Sequence, residues 1–582
     1  MTRNLPPRSD GFVLRVGNPD HNSRDALKIA ERIVAEELPR QWVVRRMGRE
    51  SRDFSVRRPQ GQKNPTVAQA FDFSYRLRKH RDVEDCEPIL MVSLDGPPQM
   101  RPPKRVVRAG SSSHASSSGS STDHLLCSTS PTWIHELCSI EAAWSLPRPP
   151  GGKSHGEGIL VGHPDTGFTD HPQFNEPGRL LTDKGFDFEE GDPDARDRLS
   201  GFSAGHGTAT GSVIMSSVDL EVTGVAPRCK LIPLRVTTSV VLASFGTLAE
   251  SIRFAADQGH HVLSISLGGP ISSRYLRRAV EHAVSRGVII VCAAGNVWPF
   301  VVYPARLDEV IAAAACNCSR STWSDSASGA TVDITAPGES VWRALAEPHN
   351  FDLGRSSGTS FSTAIVAGAA ALWLAHHGRD NLISQYGPAG VVSVFKELLM
   401  TRGFDRPAGW NTENFGVGIL NAVKLLSAPL PQTVSAAGMS AVRASAAPRS
   451  TNQVDEILEL FPHENSVRVR AGLARFLNVS ERDLNTALRD VADEIAYLVT
   501  TDMDFRRQIS QSGHVGAASH RASSKGIKQA SVRKQTTSIP MSRLLKRMSS
   551  SQVPTAKPRP DRRAGRRQSR SSIQVPVSVS DS

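Results

Sequence analysis

Residues 356–374 read SSGTSFSTAIVAGAAALWL, a Gly-Thr-Ser turn running into a stretch of almost wholly small and apolar residues. A helix built from such residues has no polar face and must be covered on all sides. Its start carries unpaired N–H groups and the positive end of the helix dipole, directed at whatever lies beside Ser360. The sequence on either side, from about Thr132 to Leu426, alternates short apolar runs with helical stretches. Gly158–Gly162, Lys230–Val236, Val262–Ser266 and Val288–Ala294 read as strands, and Leu248–Gln258 and Tyr275–Ser285 as helices. This alternation predicts a parallel sheet with helices on both faces.

Two further segments carry chemistry. In GILVGHPDTG (158–167), Asp165 directly follows an apolar strand, at the sheet edge where ligands of open α/β proteins bind. In GHGTATGSVI (205–214), His206 stands among glycines at a helix start. Taken singly, Asp165 also fits a turn before Thr-Gly, and His206 a solvated helix-start residue. Together with Ser360 they form a set. A serine hydroxyl is a weak nucleophile until a base takes its proton, and an imidazole base needs a carboxylate to fix its tautomer.

With Asp, His and Ser in that chain order, the sequence resembles the subtilisin-like serine proteases, or subtilases. The resemblance spans roughly Thr132–Leu426 and extends to GVAPRCKLIPLRV, SISLGG (264–269), CAAGN (292–296), ITAPGESVW (334–342) and FGVGILNA (415–422). It implies a serine endopeptidase in which Asp165 orients the base, His206 is general base and then acid, and Ser360 attacks the scissile carbonyl. Asn296 then donates its amide to the oxyanion beside the Ser360 N–H; read alone, it fits a turn after Gly295. Ser266, Leu267, Gly268 and Gly269 resemble the segment that pairs with extended substrate as an added strand. With Ala293, Ala294 and Gly295 they border the pocket for the side chain preceding the cleaved bond. Many subtilases have proline four residues after the serine; here Ala364 stands there, and helix entry is the feature it affects.

The ends differ from the middle. Residues 1–110 carry a net charge of +8 and residues 506–582 one of +15, so 111–505 carry −11 of the overall +12. The basic balance therefore does not point to a protein built around nucleic-acid binding. Gly11–Val16, Trp42–Met47, Asp53–Arg57 and Pro88–Leu94 read as strands, and Ser23–Leu38 and Pro65–His80 as helices. This is the split βαβ order of ferredoxin-like domains. Subtilases commonly carry a propeptide of this topology, so the resemblance implies a zymogen whose residues 1–110 assist folding and block the site, with cleavage between Arg101 and Asp123. A basic N-terminal unit beside an acidic protease is electrostatically favourable.

The expected architecture is thus α/β: a three-layer subtilisin-like parallel sheet with helices on both faces. A small α+β (βαββαβ) prodomain precedes it, and a short helical unit and a disordered tail follow. The expected boundaries are 1–110 for the prodomain, 111–130 for a Ser/Gly-rich linker and 131–428 for the catalytic domain. A second linker covers 429–451, the helical unit 452–505 and the basic tail 506–582. In the helical unit, Ser480 and Asp483 read as a capping box, and Leu484, Leu488, Val491, Ile495 and Leu498 recur at helical spacing.

Protein or peptide substrates and the prodomain are the expected partners. A binding protein of the same fold, anchored to nucleic acid or another anionic surface by the tail, is the alternative from another class. A transpeptidase is another, since ligation and hydrolysis share the acyl-enzyme. No cofactor is expected. Calcium, bound by many subtilases, has one candidate in the acidic stretch Glu189–Asp197, which reads rather as a solvated loop. No apolar run reaches membrane-spanning length and the N-terminus lacks a secretory apolar segment. With seven scattered cysteines, a reducing cytoplasm is the default compartment, and export without a cleavable signal stays open.

Overall fold

Neighbouring residues along the central strands point into two different cores. Val161, Leu231, Val262, Ile289 and Val291 enter one, together with the serine helix, Thr359–His377. Ile232, Leu234, Leu263, Ile290 and Cys292 enter the other, with the helices Gly246–Asp257 and Arg274–Ser285. Both faces of the sheet are covered, which is why its strands read as continuous apolar runs rather than alternating ones.

The computed structural model describes residues 8–91, 129–433 and 453–511, apart from 18–22, 39–41, 49–50, 60–61, 63–64, 175, 201–202, 243, 297, 347–351, 462–463 and 490. All lie in one compact unit, residues 1–538. The central sheet has nine strands in the spatial order Phe404–Asp405, Ile419–Leu420, Ile334–Pro337, Ile311–Cys316, Ile289–Ala293, Val262–Ile265, Leu160–Asp165, Lys230–Arg235 and Phe186–Asp187. Its pairings are parallel except the first. The serine helix is long and apolar enough to cross a membrane by composition, yet all of it is buried inside the fold.

Residues 8–91 form a separate four-stranded antiparallel sheet. Its strands are Arg8–Val16, Val43–Arg46, Asp53–Arg57 and Val83–Met91, with the first lying between the third and fourth. Phe12, Leu14, Phe54, Val56 and Cys86 pack with the helices Ser23–Glu37 and Val67–Leu77 in a core of their own. The opposite face meets the catalytic unit. Val13, Met47 and Ile89 join the core of the Gly246–Asp257 and Arg274–Ser285 helices.

Carboxylates line the rest of this seam. Asp53 bonds to Arg253 and Arg278, each at 2.8 Å, and to Arg15 of its own sheet at 3.0 Å. Asp85 reaches Arg274 at 2.8 Å and Arg278 at 3.1 Å, and Glu87 reaches Arg274 Nε at 2.6 Å. The closest ion pairs thus place N-terminal acids on catalytic-unit arginines, while Arg57 of the N-terminal unit lies 3.9 Å from Glu250 of the catalytic unit in the opposite sense. A sum over a whole surface does not report which side chains are buried.

The same acids explain a boundary error. The fourth strand begins at Val83, not Pro88. The acids at 84, 85 and 87 look like a loop, yet Asp85 and Glu87 are buried against arginine.

Further along, Ser480 donates to the Asp483 carboxylate, and the helix starts only after Asp483. The expected capping box is therefore replaced by a side-chain pair. The residues at helical spacing fall on two helices, Leu484–Leu488 and Ala492–Thr501, with Val491 between them. The presumed tail start at 506 lies within the helix Met503–Gln511, where Phe505 and Ile509 supply buried apolar residues. Most of both linkers (111–128 and 434–451) and residues 512–582 of the tail lie outside the described residues. Among the described residues, five cysteines are buried thiols and Cys318 is disulfide-bonded.

Candidate active site

Asp165 ends its strand at the C-terminal edge of the sheet and is fully buried. Its Oδ1 accepts from the Thr166 N–H at 2.7 Å and lies 2.7 Å from His206 Nδ1. His206 opens the helix His206–Met215, and Gly205 before it holds φ at 73°. A Cβ on Gly207 would lie 2.0 Å from the Gly167 carbonyl, so only glycine lets the histidine helix approach the aspartate loop this closely. On its other side, His206 Nε2 lies 3.1 Å from Ser360 Oγ. The structure thus joins Asp165, His206 and Ser360 in one hydrogen-bonded line.

Burial pushes the Asp165 carboxyl up. The charge and hydrogen bond of His206, with help from His163 and the Thr166 N–H, more than offset this and hold it below the usual carboxylate range. An ionised carboxylate facing Nδ1–H leaves Nε2 free to take the serine proton.

Asn296 is oriented by a residue that sequence reasoning passed over. Its Oδ1 accepts from the Thr359 N–H at 2.9 Å and the Thr359 hydroxyl at 2.7 Å, and that hydroxyl accepts from the Gly295 N–H at 3.1 Å. With Oδ1 so engaged, the Asn296 amide nitrogen is turned toward the Gly358–Ser360 turn. The missed signal was the Thr of Gly-Thr-Ser, read only as part of a turn.

The substrate-edge residues divide. Ser266 C=O lies 3.3 Å from Ser360 Oγ, and the Ser266 hydroxyl donates to the Ser360 carbonyl at 3.1 Å. Gly268 is already paired within the chain: its N–H donates to Val240 O at 3.0 Å and its carbonyl accepts from Leu242 N at 2.7 Å. Gly269 exchanges both of its main-chain bonds with Tyr303. A cavity of about 70 Å³ beside Ser360 is lined by Ser266, Leu267, Gly268, Ala293, Gly295, Asn296 and Thr359, with Trp298, Val302, Val240 and Val241 added. Ala294 and Gly269 lie outside that lining; Ala294 instead bonds Ala313 and Val302.

In the Glu189–Asp197 loop, Arg198 bonds Glu190 and Asp194 and Arg235 bonds Glu190, while Asp192 and Asp197 accept from backbone N–H groups.

A parallel sheet with a buried carboxylate, an imidazole and a helix-start serine aligned at its C-terminal edge defines the class of serine-nucleophile hydrolases. Within that class, the family model described as the subtilase family matches residues 156–418. Over 236 residues the chain is 34% identical to Subtilisin Savinase of Lederbergia lenta, covering 39% of this chain and 82% of that protein. It is equally similar over 236 residues to an alkaline protease of Alkalihalobacillus alcalophilus, spanning 58% of that protein's length. Among solved structures, fervidolysin from Fervidobacterium pennivorans shares the fold with a TM-score of 0.50 at 21% identity, covering 73% of this chain and 62% of that one. The chain belongs to the subtilase family.

Proposed function

We propose that this chain is a serine endopeptidase, made as a zymogen, that hydrolyses peptide bonds through Asp165, His206 and Ser360. The hydrogen-bonded line joining these three residues carries the reading. Ser360 Oγ attacks the scissile carbonyl carbon as His206 Nε2 takes its proton. The resulting oxyanion is held by the Asn296 amide and the Ser360 N–H; loss of one such donor typically costs about 2.7–4 kcal/mol. The proton then passes to the departing amine, leaving an ester on Ser360. Water, deprotonated by His206, hydrolyses that ester and restores the serine.

The chain's own pairing bears on how substrate enters. An extended peptide pairing with Gly268 must first displace Val240 and Leu242 from it. In the zymogen, the N-terminal sheet within residues 8–91 rests on the Gly246–Asp257 helix, next to that same segment. Ile89 packs there with Leu242 and Phe245 in one core.

Labelling with a serine-directed phosphonate tests the reading. Wild-type protein is expected to label after processing between Arg101 and Asp123, and Ser360→Ala is expected not to. Folded, processed wild type that resists the probe would overturn it.

A further inference from the structure

Asp165 has two carboxylate oxygens, and His206 and the Thr166 N–H both use Oδ1. Oδ2 meets a different pair. Thr210 Oγ1 lies 3.4 Å from it and His163 Nε2 3.8 Å from it, and these two atoms are 3.0 Å apart. Simple spacing brings them there. His163 precedes Asp165 by two residues on one strand, so both side chains leave the same face of the sheet. Thr210 follows His206 by one helical turn and lies on the same helix face. Both are buried, and His163 is only 1% exposed.

We propose that His163 and Thr210 are a positioning pair that fixes the second oxygen of Asp165, giving the catalytic carboxylate a histidine on each side. The proposal rests on the Asp165–His206–Ser360 reading above. Burial, with the neighbouring His206, outweighs the pull of Asp165 and holds the His163 imidazole below its ordinary range, so it is neutral. The titratable groups facing it are Asp165 on its own strand and His206 on the helix packed over it. In the adjacent strand its register partner is Pro233, and the serine helix carries no charged residue before His376.

A neutral imidazole with its proton on Nε2 donates to Thr210 Oγ1 and leaves the threonine proton to be given away. Two kinds of acceptor compete for that proton: helix carbonyls, the nearer being His206 O at 3.0 Å, and the ionised Asp165 Oδ2. Charge strengthens a hydrogen bond about twofold, which compensates for the longer distance to the carboxylate. Held at both oxygens, Asp165 cannot rotate away from His206 when the imidazole becomes charged.

The test compares Thr210→Val, which keeps the side-chain shape, with His163→Leu and His163→Gln, the last retaining an N–H donor. Thr210→Val and His163→Leu are expected to lower kcat about tenfold at unchanged KM, the scale of one hydrogen bond to a charged group. The acid limb of kcat against pH is expected to move upward, because an Asp165 with one fewer donor keeps more charge for the His206 imidazolium. His163→Gln is expected to restore both quantities. Titration of the His206 ring by NMR in the full chain reads the same midpoint without any turnover. A wild type that never cleaves peptide would therefore sink the protease reading while leaving this comparison standing. Unchanged midpoints in Thr210→Val, or a Gln variant indistinguishable from Leu, would overturn the pair. If His163→Leu fails to fold, Thr210→Val decides alone.

Discussion

Asp165 in the cleft and Asp53 in the seam between the N-terminal sheet and the catalytic unit are both fully buried. Burial pushes both carboxyls up, and in each the surrounding partners reverse the effect and hold the group below the usual range. The partners, however, are chemically opposite. Asp165 faces an imidazole, a backbone N–H and a threonine hydroxyl. Asp53 faces three guanidinium groups, those of Arg15, Arg253 and Arg278. An imidazole gains and loses a proton near neutral pH, whereas a guanidinium does not. One carboxylate can therefore support a charge that comes and goes. The other fastens two units together with charges that stay.

Exchanging each aspartate breaks the comparison in opposite ways. Asp165→Asn is expected to lower kcat/KM on the order of 10⁴-fold, since the amide favours the wrong histidine tautomer. Its denaturation midpoint is expected to stay near that of wild type. Asp53→Ala should do the reverse. Stripping the carboxylate from buried Arg253 and partly buried Arg15 and Arg278 costs about 3–5 kcal/mol, read as a fall in denaturant midpoint of the full chain carrying Ser360→Ala so that it cannot process itself. A cost below about 1 kcal/mol would mean that the arginines find water or other partners.

The two sites were not equally legible. The cleft was readable because each of its residues sits in a short local frame: Asp165 after an apolar strand, His206 among glycines, Ser360 before a small-residue helix. Local frames fix local geometry. Thr359 and Thr210 escaped notice because their hydroxyls act only across space, on Asn296 and Asp165. The seam's closest ion pairs were not legible. Arg274 and Arg278 look like the solvated face of an amphipathic helix, and Asp85 and Glu87 like a loop, until the two surfaces meet. Within the helical unit, the helical spacing runs from Leu484 to Leu498 without marking the break between Leu488 and Ala492.

The third prediction concerns a carboxylate of a third kind, held by neither histidine nor arginine. Glu494, in the helix Ala492–Thr501, accepts a hydrogen bond from the Tyr75 hydroxyl of the N-terminal unit and is 1% exposed. Burial pushes it up to about 7 from its ordinary 4.5; the Tyr75 bond only partly opposes this. The Tyr75 hydroxyl is itself pushed well above its ordinary value by burial and by Glu494, so it stays a donor. A raised carboxyl favours the folded state while protonated. Its contribution is full below about 4.5 and is lost as pH rises through about 7. Glu494→Gln keeps an oxygen for Tyr75 and removes the titration. In the full chain carrying Ser360→Ala, the stability of the Gln variant relative to its parent is therefore expected to rise between pH 5 and 8, by about 1–3 kcal/mol. A difference that stays flat across that window would show that Glu494 ionises at its ordinary pH, with water reaching it between the units. Protonation would then have no hold on the contact with Tyr75, and the attachment would rest on the arginine-bound acids of the seam and the apolar contacts of Val13, Met47 and Ile89.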